Sequence, residues 1–153
     1  MLRSDLLIPL PLDLFLDYDD TAGVDCDQTP ADVGVFHVPF KCEVVRAQLN
    51  ITETCAGADA TPVTKFDLRP TLGSAASRGD GDIANFVMGT TAQGKVLYDE
   101  VALGTVLEPG DEVVVEVTTQ AAGVGAAGHF RPDLLVQMIP ETKANMADMV
   151  ATT

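Results

Sequence analysis

The side chains that could carry out chemistry in this 153-residue chain are few and widely separated. There are two histidines: His37 lies on the polar side of an alternating segment, and His129 follows a glycine-rich stretch. No partner residue is positioned nearby in sequence to activate either imidazole as a general base. The motifs G-x-S-x-G, H-E-x-x-H and G-x-x-x-x-G-K-[ST] are absent, so the signatures of hydrolases, zinc peptidases and phosphate-binding loops are missing. We therefore expect no enzymatic activity, no catalytic residue and no cofactor.

The three cysteines, Cys26, Cys42 and Cys55, have irregular spacing. An odd number without a C-x-x-C pair predicts neither a disulfide framework nor a metal site. A single Cys42–Cys55 or Cys26–Cys42 bridge would be compatible with an oxidising compartment. We expect free, buried thiols instead, because unpaired cysteine packs as a small hydrophobic side chain.

Acidic residues are abundant before the first clear strand and could in principle hold Ca²⁺ through their carboxylate oxygens. The spacing is not that of an EF-hand, so we expect a solvated loop and no bound metal. The tripeptide 78–80 (RGD) is interpreted as part of a turn, because three-residue motifs are common by chance and glycine and aspartate favour turns. The acidic residues of the predicted loop before the first strand, considered above as Ca²⁺ ligands, are Asp17, Asp19, Asp20, Asp25 and Asp27.

The net charge of −14, from 23 acidic and 9 basic residues, argues against two classes of partner. Such a chain repels phosphate backbones and anionic lipid headgroups, so neither nucleic acid nor a membrane is an expected partner. The apolar segment 6–16 is interrupted by two prolines and Asp13. It is too short for a membrane span and unlike a signal peptide, which predicts a soluble, unprocessed chain.

The remaining pattern is that of an all-β domain. Valine and threonine recur in short alternating segments, and 13 glycines and 9 prolines separate them. We predict a jelly-roll or related β-sandwich of about eight short strands over residues 33–140, followed by a tail at 141–153. Inward positions change parity between Phe40 and Val45, which predicts a bulge near Cys42 and Glu43. Residues 107–111 (LEPGD) predict a type II turn.

Residues 1–20 form a separate unit, an extended arm with one apolar face. Pro9 and Pro11 oppose a helix and restrict the segment to the edge of a sheet. Its apolar side chains must be covered either by their own domain or by a neighbouring subunit, and we predict the second as a partner-binding arm. The predicted binding residues are Leu6, Leu7, Ile8, Leu10, Leu12, Leu14, Phe15 and Leu16.

Five blocks, in their order and spacing, resemble small β-rich virion proteins of tailed bacteriophages, of the capsid decoration (cement) or head-fibre type. The resemblance covers about residues 33–149. The blocks are residues 35–45 (VFHVPFKCEVV), 65–71 (KFDLRPT), 77–82 (SRGDGD), 94–99 (GKVLYD) and 107–117 (LEPGDEVVVEV).

This resemblance implies a structural protein made in the host cytoplasm and located on the capsid exterior. It implies the major capsid protein and further copies of the chain, as trimers, as partners. The resemblance carries no catalytic residues over. Two alternatives stay open: a tail- or fibre-associated module that binds a host glycan, against which the scarcity of aromatic residues argues, and a small lyase or hydrolase, against which the lack of paired histidines argues.

Overall fold

The computed structural model describes residues 7–11, 23–27, 29–69, 81–99 and 104–139. Within these ranges the regular structure is all β, which confirms the predicted fold class, and no helix there is long and apolar enough to cross a membrane. The ten strands of the described residues are β1 (Leu7–Pro11), β2 (Val24–Asp25), β3 (Ala31–His37), β4 (Cys42–Ala56), β5 (Val63–Arg69), β6 (Gly81–Val87), β7 (Val96–Asp99), β8 (Val106–Leu107), β9 (Glu112–Thr119) and β10 (Ala127–Met138).

The strands form two antiparallel sheets that pack as a β-sandwich. The six-stranded sheet has the order β1-β10-β4-β7, with β2 paired to β10 and β8 paired to β4; the four-stranded sheet has the order β3-β9-β5-β6. Four nested pairs, β1 with β10, β3 with β9, β4 with β7 and β5 with β6, alternate between the two sheets. The β4–β10 and β5–β9 pairs then complete each sheet, so the chain is one long hairpin rolled into two layers.

The core between the sheets comes from the alternating apolar positions that the sequence predicts. Phe66 and Phe130 are fully buried in opposite sheets, and the Phe66 ring lies against Phe86 with centroids 5.3 Å apart. The buried aliphatic residues of β9, Val113, Val115 and Val117, are in the same core cluster, as predicted. Burial of this kind supplies most of the stabilisation of a sandwich, at about 25 cal/mol per Å² of apolar surface.

The turn between β8 and β9 is confirmed as the predicted type II turn. Gly110 has φ +88°, which is the left-handed conformation required at the third turn position. The amide of Asp111 donates to the carbonyl of Glu108 at 3.1 Å, and the amide of Glu108 donates to the carboxylate of Asp111 at 2.8 Å. This reciprocal pair explains how a fully buried aspartate is tolerated at the start of β9.

The predicted bulge exists, but it lies two residues beyond the predicted position. Against β10, Leu135 pairs with Arg46 and Val136 pairs with Val44, so Val45 is the extra residue. Val44 is therefore buried, whereas Val45, which the sequence analysis placed inward, is only half-buried. The strand itself runs unbroken through Cys42 and Glu43.

The sheets begin before residue 33, the predicted start of the domain, since β2 and the start of β3 precede it. Other sequence predictions fall outside the described residues. The segments 12–22, 70–80 and 140–153, with the RGD tripeptide, most of the acidic loop and the predicted tail, lie outside the described residues.

Candidate partner-binding surface

The predicted arm enters the described structure as β1, the outermost strand of the six-stranded sheet. It pairs antiparallel with β10 in a continuous register from Leu7↔Gln137 to Pro11↔Asp133. An edge position is the one that two prolines allow, because proline has no amide hydrogen to donate to a neighbouring strand. The free edge of β1 therefore offers few donors to a further strand, and contact with a partner there would be made mainly by side chains.

The two described arm side chains have opposite environments. Ile8 packs against the core of its own domain, whereas Leu7 is 46% exposed. Part of the arm is thus covered by its own sandwich, which was one of the two outcomes considered, and Leu7 is left for contact with another molecule. For Leu10 only the strand backbone is described, and five predicted residues lie outside the described ranges: Leu6, Leu12, Leu14, Phe15 and Leu16.

Leu7 belongs to the outer surface of the six-stranded sheet, which we call the mixed face. The strand registers place on one side of the sheet the residues that alternate with the buried ones. Three exposed large hydrophobic residues, Leu7, Tyr98 and Val106, lie on this face. The mixed face consists of Leu7, Pro9, Glu43, Arg46, Gln48, Asn50, Val96, Tyr98, Val106, Arg131, Asp133, Leu135 and Gln137.

Polar side chains at the centre of the mixed face are organised around Asp133. Its carboxylate accepts hydrogen bonds from the side-chain amides of Gln48, at 3.2 Å, and of Asn50. Beside them the Arg46 guanidinium lies 4.7 Å from the centroid of the Tyr98 ring, a cation–π contact. Tyr98 remains 55% exposed, so its aromatic edge is available to a partner on a surface with few net charges.

The outer surface of the four-stranded sheet, which we call the charged face, has a different composition. Lys65 is its centre: the ammonium lies 2.8 Å from Asp67, 3.3 Å from Glu116 and 3.7 Å from Asp82. Hydrogen bonds to Asp67 and Glu116 raise the pKa of Lys65 above its ordinary value, although burial opposes them. The charged face consists of Asp32, His37, Lys65, Asp67, Arg69, Asp82, Glu112 and Glu116, placed together by the registers.

One valine lies beneath these charges. Val114 is fully buried, yet it points away from the core and pairs with Val35 on one side and Asp67 on the other. Its sheet neighbours Val35 and Asp67 also stand at outward positions of β3 and β5, where long side chains commonly cover apolar surface. The alternating pattern of β9 did not predict this burial, since Val114 stands at an outward position.

The cysteines are all free and buried, as predicted, but their neighbours differ from both pairings considered. Cys42 and Cys55 lie at opposite ends of β4, about 40 Å apart at the usual rise per residue, so a bridge between them is excluded. Cys26 instead approaches Cys55, since a Cβ at Gly128 would lie 3.2 Å from Cys26 Sγ and 3.1 Å from Cys55 Sγ. Sequence spacing gave no signal for this contact, because it depends on the pairing of β2 with β10.

Among the described residues, no group of three or more histidine, cysteine, aspartate or glutamate side chains is arranged to hold a metal ion. Comparisons of the chain with models of protein families, with curated proteins and with solved structures found no match.

Proposed function

We propose that this chain is a structural protein of a phage particle that binds the outer surface of the capsid and stabilises contacts between major capsid subunits. The observation that carries the proposal is the mixed face, where the exposed Leu7 of the arm strand shares one surface with Tyr98 and Val106. A surface with exposed apolar and aromatic groups and few net charges has the composition of a protein-binding site.

The strand order supports the same proposal. The nested pairs that alternate between sheets β1-β10-β4-β7 and β3-β9-β5-β6 are the arrangement of a jelly roll, a fold used by viral capsid proteins and by lectins. A fold does not determine a function. The support is that this arrangement brings the first strand to an edge, next to the surface on which a partner would be bound.

The energetics of decoration fit a small module with a modest contact surface. Burying a large apolar side chain contributes about 1.5–3 kcal/mol, against which the cost of association must be set. A protein that binds only the assembled shell stabilises assembly by mass action. Trimers of this chain would engage several capsid subunits at once, and such multivalency raises avidity without any stronger single contact.

The distribution of charge is consistent with an orientation on the shell. With the mixed face toward the capsid, the charged face points to solvent, where its carboxylates keep particles apart. The net charge of −14 also disfavours adsorption to nucleic acid released nearby.

The experiment is co-sedimentation of the purified chain with capsid shells that lack it, combined with light scattering for its own mass. Deleting residues 1–20 would also remove β1, so single substitutions on the mixed face are the sharper probe. We expect Leu7→Asp and Tyr98→Asp each to weaken binding at least ~10-fold, because each would place a carboxylate where a partner covers an exposed apolar side chain. The matched control is Val87→Asp, at a residue that is 69% exposed at the edge of the other sheet, which should change binding less than ~3-fold.

Equal losses for Tyr98→Asp and Val87→Asp would contradict the assignment of the mixed face. Absence of binding to any shell by the folded wild-type chain would contradict capsid decoration itself. Thermal unfolding of each variant provides the control for folding.

A tail- or fibre-associated module that binds a host glycan is a second candidate, because one observation favours it. An exposed aromatic ring, Tyr98, lies beside a carboxylate and two amides, those of Asp133, Gln48 and Asn50. Aromatic faces and such polar groups are what a sugar ring contacts. Binding of the chain to immobilised glycans that is lost in Tyr98→Ala, with no binding to shells, would favour this candidate over capsid decoration.

A further inference from the structure

Two cysteine sulfurs, those of Cys26 and Cys55, lie against the same residue, Gly128. Both cysteines are fully buried. Cys26 follows the two-residue strand β2, and Cys55 is the penultimate residue of β4. The end of β2 therefore meets one of the two longest strands of the sandwich.

Gly128 is the residue that lets the two sulfurs meet. A Cβ at this position would lie 3.1 Å from Cys55 Sγ, 3.2 Å from Cys26 Sγ and only 2.9 Å from the Cys55 Cα. Gly128 also has φ +132°, a conformation that other residues rarely adopt. The register shifts between β4 and β10 occur at this point, around Ala127 and His129, so bulges and a glycine together bring the two thiols to one spot.

The backbone holds Cys26 from both sides. Its amide donates to the carbonyl of Gly128 at 2.8 Å, and its carbonyl accepts from the amide of Ala121 at 2.6 Å. A disulfide requires its two Cβ atoms within about 4.5 Å and a fixed dihedral. Because both sulfurs already lie against Gly128, the two cysteines need little movement to reach the geometry of a disulfide.

The two thiols differ in acidity. The hydrogen bond that Cys26 donates to Cys55 raises the pKa of Cys26, and burial and the nearby Asp25 and Asp27 raise it further. The same hydrogen bond lowers the pKa of Cys55, while burial and the nearby Glu53 oppose this shift and His129 assists it. Cys55 is thus the better thiolate of the pair and Cys26 the residue that resolves an intermediate.

We propose that Cys26 and Cys55 are a disulfide-forming site, which a small disulfide oxidant such as oxidised glutathione converts to an intramolecular bridge. The Cys55 thiolate attacks one sulfur of the oxidant, whose S–S bond breaks and releases one glutathione thiolate. Cys26 then loses its proton to that thiolate or to water and attacks the Cys55 sulfur, which releases the second glutathione. Two protein thiols are oxidised and one oxidant disulfide is reduced to two thiols.

Access to the buried pair requires only local opening. β2 is held to β10 by the two residue pairs Val24↔Phe130 and Asp25↔His129, and such short elements open at low free-energy cost. Once formed, the bridge would link the segment that follows the arm to the end of β4, and β3 would lie within the closed loop. The inference does not depend on capsid binding, although it would fix the root of the arm in a decorating protein.

The test is incubation of the full chain in buffers of oxidised and reduced glutathione, followed by intact mass, peptide mapping without reductant and thermal unfolding. We expect a mass decrease of about 2 Da, a Cys26–Cys55 peptide and a rise in Tm of about 10 °C. Cys42→Ser should behave as the wild type, and Cys26→Ser should show neither change.

Two glycine variants separate proximity of the sulfurs from strain in the backbone. Gly128→Ala places a methyl group between the sulfurs and should slow bridge formation at least ~10-fold. Gly125→Ala is the matched control, because Gly125 also has positive φ, +76°, but nothing lies within 4 Å of its added Cβ. A reduced wild-type chain under oxidising glutathione, a bridge that maps to Cys42, or equal rates in the two glycine variants would overturn the proposal.

Discussion

The outer surfaces of the two sheets differ in which of their side chains have partners within the protein. The charged face places Lys65 among three carboxylates, and among the described residues its one exposed large hydrophobic side chain is Val87, on the edge strand β6. The mixed face leaves three such side chains exposed, those of Leu7, Tyr98 and Val106. A surface whose charges already have partners gains little from a new one, whereas exposed apolar groups gain from being covered. This difference is why the mixed face is the better candidate for binding.

The largest expected effect concerns Val114, the buried valine of the charged face. Val114→Asp would bury a carboxylate beside Asp67 and between two glutamates of β9, and we expect it to lower the free energy of unfolding by about 3 kcal/mol or more. Tyr98→Asp, on the mixed face, should change it by about 0.5 kcal/mol or less, since exposed positions tolerate polar substitution. Urea unfolding of both variants is the measurement. Similar decreases in the free energy of unfolding for the two variants would contradict this difference between the faces.

A smaller effect is expected for the cation at the centre of the charged face. Lys65→Met keeps an unbranched apolar side chain of similar length but removes the charge, and should cost about 1 kcal/mol. Because the pKa of Lys65 is raised in the folded state, its contribution is fully present below the ordinary lysine pKa and is lost only as the pH rises through the raised value. The difference from wild type should therefore hold from pH 7 to pH 9, and should shrink in 1 M salt. A difference that vanishes at pH 9 would contradict this account.

The smallest effect concerns the cation–π pair on the mixed face. A double-mutant cycle of Arg46→Met and Tyr98→Leu should give a coupling of about 0.5 kcal/mol in unfolding. If Tyr98 contacts a partner, the same substitutions should affect binding far more than stability. A coupling above about 2 kcal/mol would indicate that this pair is a structural element of the sheet.

The sequence predicted those parts of the fold that follow from local patterns. The strands Val63–Arg69 and Glu112–Thr119 agree with the predicted all-β domain, because alternation with period two and flanking turn residues define a strand. The type II turn at Gly110 was predicted because only glycine readily adopts its third position. The edge position of Leu7–Pro11 was predicted because prolines are excluded from the middle of a sheet.

What the sequence did not predict depends on pairing between distant segments. Val44 and Val45 are the same residue type, so either could have been the bulged one, and only the register with β10 decides. Val114 is buried although it stands at an outward position, paired with Asp67 of β5, and no pattern within β9 reveals this. The approach of Cys26 to Cys55 requires both the β2–β10 pairing and the bulges opposite Gly128.

The pairing of the first strand with the last one has a consequence for how the protein is made. Leu7–Pro11 pairs with residues 133–137, and β10 is also the main partner of β4, the longest strand. At about 5–20 residues per second on the ribosome, β10 is delivered roughly 6 to 25 s after β1. Until β10 is made, one edge of β4 lacks its hydrogen-bonding neighbour, so the six-stranded sheet cannot form completely until synthesis has passed Met138. A chaperone that shields nascent hydrophobic strands should therefore raise the yield of this protein more than that of a sandwich built from consecutive hairpins.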